Sequence, residues 1–144
     1  METEKPKSIK TIGIVIAALA GLTIFSNGMG FLTMKLMMSQ GAPGSDTFFS
    51  TFERIAMIGL SIGLGYLLSG IGIAKYQNWG RWLGTVVSLF SIVAIWGLMT
   101  FLRTGTEELG IFVNYPFVVA AFWSILPGIL VYFLHRKTTK IHFT

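Results

Sequence analysis

Charged positions along this chain fall in clusters, and long apolar stretches separate them. Twenty-four residues without charge lie between Lys10 and Lys35, 20 between Arg54 and Lys75, 21 between Arg81 and Arg103, and 26 between Glu108 and His135. A helix crossing about 30 Å of hydrocarbon at 1.5 Å per residue needs about 20 apolar residues. A single Lys, Arg or Asp at its centre costs roughly 2.5–3.5 kcal/mol. Four consecutive windows that meet the length and avoid the charge predict an all-α integral membrane bundle of four transmembrane helices. The expected spans are about 9–36, 47–76, 79–103 and 114–136, in one domain covering 1–144. Ser45 or Asp46 is placed to cap the second helix, and Pro116 falls in the first turn of the fourth, where a missing N–H costs nothing.

The first window admits a second reading. Lys5, Lys7 and Lys10 followed by Ala18-Leu19-Ala20 have the form of a cleavable signal peptide. The apolar stretch before that site is only Ile12 to Ala17, however, and the hydrophobic run continues well past it. Retention as a span is the expectation.

In lipid, apolar side chains gain little by leaving the acyl chains for one another, so helices associate where small residues let backbones approach. At 100° per residue, Ala56, Gly59, Gly63, Gly70 and Ala74 fall within about 60° of one another. Ser61, Gly65, Ser69 and Gly72 form a second stripe roughly opposite. Two small faces predict two close neighbours and a central place for the second helix. The packing residues expected there are Gly59, Gly63, Gly65, Gly70 and Gly72. Single stripes are read on the first helix (Gly13, Ala17, Ala20, Gly28), the third (Gly84, Ser88, Ser91) and the fourth (Ala120, Ala121, Ser124, Gly128). Pro127 is expected to kink the fourth helix by removing an N–H and crowding the carbonyl of Trp123.

Composition sharpens this picture. Of 144 residues, 53% are hydrophobic, 12% are charged and 17 are Gly. An ordinary soluble domain is roughly 25% charged, and a domain of this size has too much surface to hide so much apolar side chain. Cysteine is absent, which removes disulfides, thiolate metal sites and cysteine nucleophiles. The net charge of +5 is read as an orientation signal. With the N-terminus cytoplasmic, Lys5, Lys7, Lys10, Lys75, Arg81, Arg136, Lys137 and Lys140 lie inside and Lys35, Arg54 and Arg103 outside, so an N-in/C-in topology is expected. The partners implied are the lipid bilayer, anionic lipid included, and other transmembrane helices in a homo- or hetero-oligomer. Nucleic acid is not implied, because no basic stripe exists outside the short loops.

Candidate chemistry is sparse. Asn27 is the one strongly polar residue well inside a span, where such a group marks either a solute path or a structural hydrogen bond; the structural bond is the expectation. Glu53 and Arg54 lie within reach of Arg103 or Glu107 as a solvated interfacial pair worth under about 1 kcal/mol. His135 and His142 sit on one terminal segment, which does not suit haem or metal ligation, and neither has an acid or nucleophile beside it. No catalytic, cofactor-binding or metal-binding residue is assigned, and no cofactor is expected. Aromatic residues gather at the expected interfaces, with Tyr76, Trp79, Trp82 and Tyr132 inside and Phe48, Phe49, Phe52 and Tyr115 outside, as amphipathic rings do at headgroup level. Trp79, Arg81 and Trp82 are read as membrane-interface anchors.

The inner turn Gln77-Asn78-Trp79-Gly80-Arg81-Trp82, following a glycine-rich helix, resembles a hairpin of many small, uncharacterised bacterial four-span membrane proteins with an Asn-Trp-Gly/Ala-Arg-Trp-like turn. The likeness covers about 30 residues. It implies architecture and a bacterial inner (plasma) membrane, and no activity. Two other four-span families fit less well. Small multidrug exporters carry an acid in their first helix, and the first helix here has none. The Thr47-Phe48-Phe49-Ser50-Thr51-Phe52 stretch looks like the signature of fluoride channels, but only one helix precedes it. The expected function is therefore that of a non-catalytic accessory or structural subunit of a membrane complex, or a self-associating tetraspan. A small channel or transporter, with a conduit beside Asn27, Tyr66 and Pro127, is the alternative.

Overall fold

The computed structural model describes residues 6–41, 46–104 and 115–143, with side chains described within 6–41, 50–101 and 116–143. Four long helices run in order: α1 over Lys7–Ser39, α2 over Asp46–Ala74, α3 over Asn78–Thr104 and α4 over Tyr115–His135. A one-turn helix, α5, follows over Lys137–Lys140. All four long helices are long and apolar enough to cross a membrane. The capping role expected of Ser45 or Asp46 lies outside the described side chains.

Each helix packs chiefly on its neighbours in sequence, α1 on α2, α2 on α3 and α3 on α4, so α2 and α3 are the inner pair. Burial is inverted relative to a water-soluble protein. Ser69 and Ser88 are wholly buried, with Thr85 and Ser91 nearly so, while Leu22, Phe25, Val93, Phe122 and Leu126 point outward. The apolar core is small: Ile9, Ile73, Tyr76 and Leu134, at the end of the bundle that holds Pro6, the α2–α3 turn and the end of α4. That end is called the terminal end below.

The α1–α2 contact is made by backbone. A Cβ on Gly70 would lie 2.7 Å from both the Ala17 nitrogen and the Gly13 carbonyl oxygen. A Cβ on Gly13 would lie 2.7 Å from the Gly70 oxygen and would strike the backbone of Ala74. Farther along, Gly63 sits against Ile24, and the Asn27 amide fills the space a side chain on Gly59 would need. The other flank of α2 meets α3. A Cβ on Gly65 would lie 2.6 Å from Val87, and one on Gly72 would lie 2.6 Å from the Gly80 Cα. Ser61 stands apart from this second flank: it is exposed and donates to the Met57 carbonyl, because its level on α2 is beyond the closest approach of α3.

Hydroxyl groups are largely satisfied within their own helices. Thr23, Thr85, Ser91, Thr100 and Ser124 each donate to the carbonyl four residues earlier, at 2.7–3.0 Å. That pattern suits a medium without water, where every polar group must be met internally. Between α3 and α4, Trp96 Nε1 donates to Ser124 Oγ at 3.2 Å, and the Trp96 ring stacks on Phe117. The α4 helix continues through Pro127. Ala120 is buried against the bundle, whereas Ala121 is exposed and Gly128 has open space around it.

Gly70→Leu should therefore separate α1 from α2, since the obstructing atoms are backbone and cannot rotate away. The expected cost is about 3 kcal/mol, the upper part of the usual overpacking range. Gly21→Ala, with nothing near the added methyl, should be neutral or stabilising by up to about 1 kcal/mol. Thermal unfolding in a non-ionic detergent, followed by Trp fluorescence, separates the two. Equal midpoints would refute the contact.

Candidate functional site

The terminal end brings together more chemically distinctive side chains than any other part of the molecule. It begins with the end of α2. The Gln77 N–H donates to the Gly72 carbonyl and the Tyr76 N–H to the Ile73 carbonyl, both at 2.9 Å. These are the paired bonds of a Schellman termination, which places its C′ residue in the left-handed region. Here that residue is Tyr76, at φ 57°, where glycine is the usual occupant because a Cβ is disfavoured by roughly 1–2 kcal/mol. What holds tyrosine there is its side chain. The ring is in the core with Ile9, Ile73 and Leu134, and the hydroxyl donates to the Pro6 carbonyl at 2.8 Å. One residue thus ends α2 and ties the entry of α1 to it. Tyr76, expected at the interface with the other aromatics, is instead buried, because the left-handed turn swings its ring inward.

The next turn is held as tightly. Ser69 Oγ, wholly buried, donates to the Gly80 carbonyl at 3.0 Å. This bond spans the close approach of Gly72 and Gly80. The Trp79 ring lies over Gly72, and its Nε1 donates to Gln77 Oε1. Trp79 and Trp82 are about half exposed, at the surface of this end. The Trp82 ring also meets His135 edge-on, with centroids 5.9 Å apart.

Arg81, read from the sequence as a membrane-interface anchor, is enclosed within the chain, being only 4% exposed. Positions 81, 84, 85 and 88 share one face of α3, and Gly84 on that face is closed by Ser69 of α2 and Leu134 of α4. The guanidinium lies 5.3 Å from the Trp82 ring centroid. Its Nε and Nη1 are enclosed and have no hydrogen-bond partner.

The other candidate residues are scattered. Asn27 Nδ2 donates to Thr23 of its own helix at 2.8 Å, and its amide lies on Gly59, so it fills the α1–α2 seam. Tyr66 is on the other flank of α2, donating to Ser88 of α3 at 3.1 Å. Asn27 and Tyr66 therefore lie on different flanks of α2. At the far end, Glu53 pairs with Lys35 at 2.8 Å, both side chains substantially exposed. Lys35 was not among the residues expected to meet Glu53. Lys35 also lies over the Phe31 ring. The partners expected there from the sequence, Arg103 and Glu107, lie outside the described side chains, as do Phe48, Phe49, Tyr115 and Glu108. A depression beside this pair is lined, among the described residues, by Ser50, Glu53, Arg54, Met57 and Ile58 of α2. Among the described residues, no group of three His, Cys, Asp or Glu comes together that could hold a metal ion.

No family model, curated protein or solved structure matches this chain. Sequence reasoning missed the inward turn of Tyr76 and the enclosure of Arg81. The one available signal was a helix-ending turn, Ala74-Lys75-Tyr76-Gln77, that lacks glycine at the position a Schellman motif needs.

Tyr76→Phe keeps the ring and removes one hydrogen bond, and should cost about 1 kcal/mol. Tyr76→Gly relaxes the backbone by roughly 1–2 kcal/mol but removes a buried aromatic side chain, a loss of about 3–5 kcal/mol. The glycine variant should therefore unfold at the lower temperature. A glycine variant more stable than wild type would show that the ring contributes less than the turn costs.

Proposed function

We propose that this chain is a non-catalytic integral membrane protein acting through helix contact. It is an accessory or structural subunit of a membrane complex, or a self-associating tetraspan, in a bacterial inner (plasma) membrane with both termini cytoplasmic. The observation that carries this reading is a set of small residues with nothing against them. Gly21 and Gly30 of α1, Gly97 of α3 and Gly128 of α4 each have open space where a side chain would stand. Ala18, Ser26 and Ala121 are likewise exposed. Glycine in an apolar helix weakens it unless a neighbouring backbone uses the gap. The internal contacts of this bundle already use Gly13, Gly59, Gly63, Gly65, Gly70 and Gly72, so the outward glycines support a second set of helices beyond the chain. The four apolar helices support the membrane location.

The alternative is a small channel or transporter for an unidentified solute or ion. Its support is the run of buried hydroxyls on α3, Thr85, Ser88 and Ser91, with Tyr66 opposite.

Extraction of tagged protein from native membranes in mild detergent, with partners identified by mass spectrometry, tests the assembly reading. A stoichiometric partner or a homo-oligomer is expected. Gly21→Leu and Gly128→Leu should reduce that association at least about tenfold while leaving the thermal midpoint of the separated chain within about 2 °C, since each side chain enters open space. A wild-type chain that elutes alone, or association unchanged in both variants, would refute the assembly role. Solute flux in liposomes that is lost in Ser88→Ala while the protein stays folded would support the conduit instead.

A further inference from the structure

Arg81 is the one place among the described residues where an enclosed charged group has side-chain donors, Nε and Nη1, without a hydrogen-bond partner. A guanidinium stays ionised at any physiological pH, and an uncompensated buried charge is among the costliest features a fold can carry. Cation–π contact with Trp82 offsets part of that cost. It leaves the N–H donors unmet, because a ring face accepts no hydrogen bond at Nε and Nη1 together. The rest of the terminal end makes matters worse for a lone cation. Lys75, six residues before it, and Arg136, Lys137 and Lys140 of the same end are exposed cations, and the described residues of that end include no Asp or Glu. Arg81 also stands in the opening turns of α3, where the helix dipole adds positive potential and favours an anion. Charge, unmet donors and dipole all ask for the same thing.

We infer that Arg81 is the centre of an anion site that takes a phosphate oxyanion. The guanidinium supplies the donors, and the half-exposed Trp82 beside it forms the wall toward the surface. The same chemistry comes from two sources, the phosphate of an anionic lipid headgroup or free inorganic phosphate. The planar fork of arginine suits an oxyanion better than a lysine ammonium would. The site adds to the assembly reading and does not rest on it, since it uses only residues within one chain.

The test is thermal unfolding of delipidated full-length protein in a non-ionic detergent, read by Trp fluorescence. One arm titrates inorganic phosphate against chloride at matched ionic strength, and the other titrates dioleoyl phosphatidylglycerol against dioleoyl phosphatidylcholine. A saturable rise of about 5 °C is expected in at least one arm at roughly a hundredfold excess over the half-saturating concentration. A rise in the lipid arm alone identifies a headgroup, and a rise in the phosphate arm identifies a soluble oxyanion. Arg81→Gln should abolish the rise, and Lys137→Gln, at an exposed cation of the same end, should keep it. Arg81→Lys should weaken half-saturation about tenfold by losing the fork while keeping the charge. If Arg81→Gln does not fold, Arg81→Lys decides alone, and an unchanged half-saturating concentration in it overturns the site. No saturable rise in either arm, or a rise that survives Arg81→Gln, also overturns it. So does a rise that appears only in a Glu2→Gln/Glu4→Gln double variant, which would place the counter-charge within the chain.

Discussion

Contact between the backbones of α1 and α2 at Gly13 and Gly70 sets the geometry on which the remaining structure rests. In an apolar medium the gain from bringing two leucine-rich surfaces together is small, and dispersion between closely fitted backbones must supply the attraction instead. Such attraction falls steeply with distance, so it rewards only helices that can touch at their axes. Gly13, Ala17, Gly70 and Ala74 satisfy that condition over more than one turn of each helix. Once α1 is seated there, Pro6 comes within reach of the Tyr76 hydroxyl. The turn that ends α2 is then held from outside its own segment. Because Gly72 is in that same turn, its approach to Gly80 positions α3 as well.

Polar groups follow the same economy of distance. Most hydroxyls bond back to their own helices, which meets the demand of a waterless interior and leaves the helix surfaces free to slide into register. The bonds that cross between α2 and α3 sit beside the close approaches. Ser69 reaches the Gly80 carbonyl next to the Gly72–Gly80 contact, and Tyr66 reaches Ser88 one residue from the Gly65–Val87 contact. Hydrogen bonds therefore lock an arrangement that small residues permit. Neither would suffice alone: a serine hydroxyl cannot span helices separated by large side chains, and glycine contacts without a polar tie leave rotation about the helix axis weakly defined.

Helix number and approximate extent were legible in the spacing of charge, because a membrane-length window excludes charge along its whole length and the signal accumulates over some twenty positions. The two faces of α2 were legible as angular stripes, but which helix lies on each was not. Angle places Gly59 and Gly65 on different sides without saying that Asn27 fills one and Val87 the other. Tyr76 and Arg81 lay beyond this kind of reasoning for a related cause. Composition near an expected interface assigns aromatic and cationic residues to the surface, whereas their true placement depends on a left-handed turn at one residue and on the face of α3 that α2 and α4 close. Both are consequences of tertiary contact, and a pattern read along one helix carries no record of them. Lys35 and Glu53 illustrate the same limit, since their pairing depends on how far α1 extends past the start of α2.

The two ends of the bundle differ in kind. At the terminal end, glycine contacts, the Ser69 bond, the apolar core and the Tyr76 tie involve all four long helices within a few turns. At the far end, the described contacts include Asn27 against Gly59, Trp96 with Ser124 and Phe117, and a Lys35–Glu53 pair exposed enough that solvent screening leaves it under about 1 kcal/mol. Local stability follows the density of enclosed contacts, so the terminal end is a rigid part of the molecule. The left-handed tyrosine belongs to that rigid end for a physical reason. A strained residue persists only where its surroundings over-determine it, and Tyr76 is fixed at once by two backbone bonds, a packed ring and a hydroxyl contact 70 residues away in sequence. The same over-determination explains how Arg81 stays enclosed. Closure by α2 and α4 around the first turns of α3 keeps the cation enclosed.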